Sequence, residues 1–177
     1  MITNSSFDNW IYYHNEDNSA RYVLGEKGSN MLACFGINTS TAAPNQLDPT
    51  LTQVQKRAQI HGYDGWLMFN VYAQRATNPN DLHKVAEEEM RTENLLVIHQ
   101  FLSEYPCDIW AAWGSLIEKR AYLKKHLIEI YDTIGVGHRW IHIGATSKKG
   151  HPHHPLYLSH THEPQEFDMK AYIDILR

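Results

Sequence analysis

The strongest constraint on what this chain can fold into is an alternation between two kinds of apolar pattern. Four short runs, residues 31–37, 65–72, 108–113 and 139–143, are nearly continuous and rich in Ile, Phe and Trp. Strands covered on both faces read this way. Between them lie stretches with helical spacing: Leu51, Val54, Ala58 and His61; then Leu95, Ile98 and Leu102; then Leu116, Leu123, Leu127, Ile130 and Ile134. Residues three and four apart share one face of a helix. Strand and helix therefore alternate four times and three times, which favours right-handed crossovers and a parallel sheet with helices on both faces. The expected fold is α/β: a three-layer α/β/α sandwich around a central, mainly parallel four-stranded sheet. An extra N-terminal edge strand is expected at Arg21 to Leu24, followed by a Gly25-Glu26-Lys27-Gly28 turn.

Punctuation agrees with this order. Asp48 suits the N-cap of the first helix with Pro49 at its first position, and Asn80 or Asp81 suits the start of the second. Residues 146–166 form a long polar segment, and 167–176 read as a closing helix. At 177 residues the chain suits one domain, with its core at about 21–158.

Composition narrows the classes of function. A net charge of −4 argues against gripping long duplex DNA by phosphate neutralisation alone, which needs a basic stripe. The first nine residues are polar and no apolar run reaches membrane-spanning length, so a cytoplasmic protein without a membrane partner is expected. Cys34 and Cys107 are too few for a disulfide framework and read as buried thiols. No oligomeric state is implied.

Ligands of open parallel sheets bind outside the C-terminal ends of the strands. The four runs are followed there by Gly36-Ile37-Asn38-Thr39-Ser40-Thr41; by Asn70, Tyr72, Arg75 and Asn78; by Gly114-Ser115; and by Gly144 with Lys148 through Pro155. Small, hydroxyl and amide residues thus gather on one rim. Asn38, Asn70 and Asn78 carry the paired donors and acceptors that match a base edge, and Phe35, Phe69, Tyr72 and Tyr157 offer flat faces, although core packing and loop tethering use the same residues. Arg75 suits a phosphate or a partner such as Asp81. Twelve histidines are present, and five of them, His151, His153, His154, His160 and His162, lie in one loop. They lack the i, i+4 helical spacing of a metal pair, so neither a metal nor another cofactor is assigned. Walker, nucleophile-elbow and paired-cysteine zinc patterns are absent.

From about Arg21 to Leu158 the chain resembles a bacterial and phage family of domains of unknown function, number sixteen forty-three in that series. The matching stretches are Gly36 through Ala42 with Asp48-Pro49-Thr50, Asn70-Val71-Tyr72 with Arg75-Ala76-Thr77, Trp113-Gly114, and Gly150 through Leu158. More distantly, Gly36-Ile37-Asn38, Phe69-Asn70-Val71 and His154-Pro155-Leu156 resemble three motifs of the uracil-DNA glycosylase superfamily, with His151-Pro152-His153 as a rival for the third. That resemblance implies that superfamily's three-layer fold and N-glycosidic cleavage. Asn38 would orient the attacking water, Asn70 would read the base, and His154 would stabilise the departing base anion with help from amides near Thr39 and Ser40. Asp48 is the nearest acid, and is equally a helix cap. Thr39 stands where proline is usual there, and Leu156 or His153 where serine is.

The leading expectation is a cleft for a nucleobase, a nucleotide or a nucleic acid with a modified base, with hydrolysis of an N-glycosidic bond as its catalytic form. The catalytic candidates are Asn38, His154 and Asp48; the binding candidates are Gly36, Ile37, Thr39, Ser40, Asn70, Tyr72, Arg75, Asn78, His151 and Tyr157. A binding protein without turnover is the first alternative, and a metal-dependent hydrolase built on the histidine loop the second.

Overall fold

The computed structural model describes residues 3–4, 9–37, 40–134 and 137–177. Among them, eight strands form one sheet: β1 (Thr3–Asn4), β2 (Trp10–His14), β3 (Arg21–Glu26), β4 (Met31–Gly36), β5 (Gly65–Asn70), β6 (Cys107–Ala111), β7 (Trp140–Ile143) and β8 (Pro164–Glu166). Their spatial order is β1-β2-β3-β5-β4-β6-β7-β8. β4 pairs in parallel with β5 and with β6, and β6 in parallel with β7. Every other pairing is antiparallel.

The expected uracil-DNA-glycosylase-like sandwich around a four-stranded, mainly parallel sheet is therefore corrected: the sheet is mixed and twice as wide. β3, expected at an edge, lies between β2 and β5. The physical reason is that the added strands lack continuous apolar runs. β2 reads Trp-Ile-Tyr-Tyr-His and is only half buried, while β8 reads Pro-Gln-Glu and is held by pairing with Ile141, His142 and Ile143. Antiparallel strands with one wet face are not required to be apolar throughout.

Among the described residues four α-helices cover the sheet: α1 (Pro49–Ile60), α2 (Glu88–Glu104), α3 (Ala121–Ile134) and α4 (Met169–Leu176). Successive strand residues point to opposite faces. Leu32 and Cys34 of β4, Trp66 and Met68 of β5, and Trp110 of β6 pack with Leu51, Val54 and Ala58 of α1. Ala33, Phe35, Leu67, Phe69 and Ile109 point the other way, onto residues of α2, α3 and α4 such as Val97, Leu127 and Ile173. Each fully buried Leu or Val on these helices contributes about 1.5–3 kcal/mol.

Two helix starts differ from expectation. Asn78 caps a short 3-10 turn, Pro79–Asp81, while α2 begins only at Glu88, where two first-turn glutamates suit the helix dipole. Leu116 belongs to another 3-10 turn, Gly114–Glu118, before α3 begins.

The strand order places a topological switch beside β4. The chain leaves β4 for α1 on one face and leaves the neighbouring β6 for α3 on the other. Connections that diverge in this way open a crevice at the strand ends.

Candidate functional site

A cavity of about 1020 Å³ lies at that crevice. Its walls are Ser40, Thr41, Asp48, Pro49 and Thr50 after β4; Thr77 and Pro79 after β5; Trp113 through Leu116 after β6; and Ala145 through Ser147 with His151 through His154, Leu156 and Tyr157 after β7. Gly114 takes φ +60, a conformation that favours glycine, at the point where the histidine loop packs over the end of β6.

Five of the expected residues meet in this cavity: Ser40, Asp48, His151, His154 and Tyr157. Asn38 and Thr39 lie outside the described residues. Gly36, Ile37, Asn70, Tyr72, Arg75 and Asn78 are not among the lining residues. Ile37 and Tyr72 are core residues, and the Tyr72 hydroxyl bonds to His83 Nδ1 at 2.9 Å. Phe35 and Phe69 pack on each other at 5.2 Å inside the same core. Asn78 is spent on its 3-10 turn, its Oδ1 accepting from Asn80 N. Arg75 donates to the Ser40 carbonyl and the Tyr12 hydroxyl, so it holds the wall of the cavity from behind and pairs with neither a surface acid nor the open space. Asn70 is buried against Gly36, whose Cβ would lie 3.2 Å from Asn70 Oδ1, and neither amide atom has a hydrogen-bond partner. Thr77 and Pro79, which flank Asn78, do line the cavity, so the connection after β5 reaches it, and these residues are kept out one by one by the core packing and loop bonds that hold them.

Asp48 is fully engaged as a cap. Its Oδ1 accepts from Leu51 N at 2.7 Å, and its Oδ2 accepts from the Ser40 hydroxyl. Each carboxylate oxygen retains a further lone pair. It is the only carboxylate among the described lining residues.

Hydrogen bonds fix the proton positions of three imidazoles. His154 Nδ1 accepts from Leu156 N at 3.2 Å, which leaves its proton on Nε2. Burial, reinforced by neighbouring His153 and opposed by Asp48, pushes His154 below the ordinary imidazole range, so it is neutral near pH 7. At His151, Trp113 Nε1 donates to the Tyr172 hydroxyl at 3.0 Å; that hydroxyl's own proton then goes to His151 Nδ1, 2.8 Å away. His151 likewise carries its proton on Nε2, an atom that is buried without a hydrogen-bond partner and 3.7 Å from Glu118 Oε1. At His153, Nδ1 lies 2.9 Å from the His154 carbonyl and donates to it. The cavity therefore presents two imidazole donors, with Tyr157, 75% exposed, as a flat face beside His154.

The hydroxyls of Thr50, Thr77 and Ser147 and the ring of Trp113 are lining features that sequence reasoning missed. Their signal was their position just after a strand or in the first helical turn, which becomes selective only once the strand order is known. No three His, Cys, Asp or Glu side chains are grouped to hold a metal ion among the described residues. Among them, too, no helix is long and apolar enough to cross a membrane.

The family described as Protein of unknown function (DUF1643) matches residues 21–156. The chain belongs to that family. The match runs from β3 to the histidine loop, so every wall of the cavity except Tyr157 is made from DUF1643 sequence. No curated protein and no solved structure matches the chain.

Proposed function

We propose that this DUF1643 protein binds a nucleobase or nucleotide in the cavity beside β4 and β6. The observation that carries the reading is the orientation of His154: a neutral imidazole whose Nε2–H is left free in the cavity, next to the exposed ring of Tyr157. A planar heterocycle with a ring nitrogen or carbonyl oxygen as acceptor satisfies both, stacking on the tyrosine while accepting from the histidine. The volume is that of a pocket for a small organic ligand.

The test is calorimetric titration with free bases, nucleosides and nucleotides. Saturable binding that weakens in His154→Ala and Tyr157→Ala supports the reading, and no binding across the panel overturns it.

One observation favours a catalytic form of the same site. Asp48 and His154 line one cavity and are close enough for the carboxylate to influence the titration of the imidazole. In hydrolysis of an N-glycosidic bond, Asp48 would accept a hydrogen bond from the attacking water, and His154 Nε2–H would stabilise the departing base. Release of free base from nucleosides or from oligonucleotides with modified bases, lost in Asp48→Asn, is the expected result. Binding without release leaves the non-catalytic form.

A further inference from the structure

The corner of the cavity formed by residues 40–41 and the start of α1 is backed by positive charge that nothing in the recognition of a base requires. Two arginines stand behind it. Arg21, 1% exposed, donates to the Ala42 carbonyl at 3.0 Å, and Arg75 donates to the Ser40 carbonyl at 3.0 Å. Neither forms an ion pair among the described residues, and Nε of each is buried without a hydrogen-bond partner. Burial and the charge of Arg75 pull Arg21 down to about 10, with Asp48 opposing, so both guanidiniums stay charged at neutral pH. Arg21 is buried and Arg75 half-buried, and Asp48 is the one carboxylate among the described residues that acts on Arg21. Buried charge without a counterion is costly, which calls for a second anion in this corner.

Backbone donors point the same way. The Ser40–Thr41 peptide is planar, and its carbonyl is turned inward to Arg75, so Thr41 N–H faces away from the arginine. In the first turn of α1, Pro49 has no N–H and Leu51 N is taken by Asp48, while Thr50 N–H has no partner among the described residues. Thr41 and Thr50 both line the cavity. The positive end of a 12-residue helix adds to the field. On the opposite side of the opening, His151 contributes a buried Nε2–H without a hydrogen-bond partner.

We infer that the ligand carries a phosphate, seated where Ser40 and Thr41 meet the start of α1, so that this cleft takes a nucleotide in preference to a free base. This rests on the nucleobase reading above. The phosphate accepts from Thr41 N–H, Thr50 N–H and the threonine hydroxyls, while the base reaches the histidines.

The experiment is calorimetric titration of the wild-type chain and of Thr50→Glu with four nucleoside 5′-monophosphates, their parent nucleosides, inorganic phosphate and a short single-stranded oligonucleotide. A glutamate at this helical position suits the helix dipole, so the variant's melting temperature should hold or rise while an anion is repelled. The expected result is that a monophosphate binds at least about tenfold more tightly than its nucleoside, a difference that Thr50→Glu removes. Inorganic phosphate should compete with the nucleotide but not with the nucleoside. Oligonucleotide binding tighter than that of any mononucleotide, and equally sensitive to Thr50→Glu, would assign the phosphate to a nucleic acid. Nucleosides binding as tightly as monophosphates to the wild-type protein would overturn the phosphate site and leave the base cleft standing. Binding by none of these probes would overturn both.

Discussion

Acid should unfold this protein partly through one histidine far from the cavity. His126 of α3 is 6% exposed, lies against the rings of Tyr72 and Tyr122 at 5.7 and 5.2 Å, and has a buried Nδ1 without a hydrogen-bond partner. Burial pushes it down to about 4; Arg91 works in the same direction, and Glu129 and Glu88 oppose. An unfolded histidine titrates at about 6.5, so the unfolded chain takes up the proton first as pH falls. The stability associated with neutral His126 is complete above about pH 6.5 and is lost as pH falls towards the folded value near 4. Between about pH 7.5 and pH 5 the linkage relation gives a loss of about 2 kcal/mol, and somewhat less if solvent reaches the ring. Urea unfolding of the wild-type protein and His126→Leu at these two pH values measures it. His61 and His154, which burial also pushes down, titrate in both proteins and cancel in the comparison. The wild-type protein should lose about 2 kcal/mol more than the variant on acidification. Equal losses would refute the assignment of this acid sensitivity to His126.

Other substitutions test the frame and the cavity separately. His154→Ala should weaken ligand binding about tenfold, read by calorimetry, through loss of one hydrogen bond in a partly dry site. Tyr172→Phe removes the hydroxyl between Trp113 and His151; urea titration should show a loss of about 1–2 kcal/mol, and imidazole NMR should show the His151 proton redistributed between its nitrogens. Gly25→Ala would place a Cβ 2.0 Å from the Trp66 carbonyl oxygen, within the pairing of β3 with β5. Thermal unfolding should show a loss of at least about 3 kcal/mol, because backbone on backbone cannot rotate away.

The sequence announced some of this and hid the rest for identifiable reasons. The four apolar runs coincide with β4 to β7 because those strands are covered on both faces, and Asp48 with Pro49 marks the start of α1 because capping is local chemistry. The width of the sheet was not legible: β2 and β8 are half-wet strands whose pairing depends on distant partners. Strand order was not legible either, and it decides the site. Reading all four strand ends as one rim placed Asn70 and Tyr72 with His154, whereas both are buried beside β5 and only Thr77 and Pro79, further along that connection, reach the cavity. The residues that do converge, Ser40, Asp48, His151, His154 and Tyr157, come from the connections after β4 and β7, which flank the crevice beside β6.

Arg57 gives the cavity a property that its lining does not reveal. From the buried side of α1 it donates to the carbonyls of Leu158 and Ser159, at 3.0 and 2.7 Å, about a hundred residues further along the chain. One wall is thereby strapped to the other through a group that forms no ion pair among the described residues and is shielded from dissolved salt. The pocket can take shape only after the last parallel strand has docked. Its occupancy by any small molecule is therefore a report on completed assembly, and a ligand should protect remote amides of the sheet from exchange as effectively as those it touches.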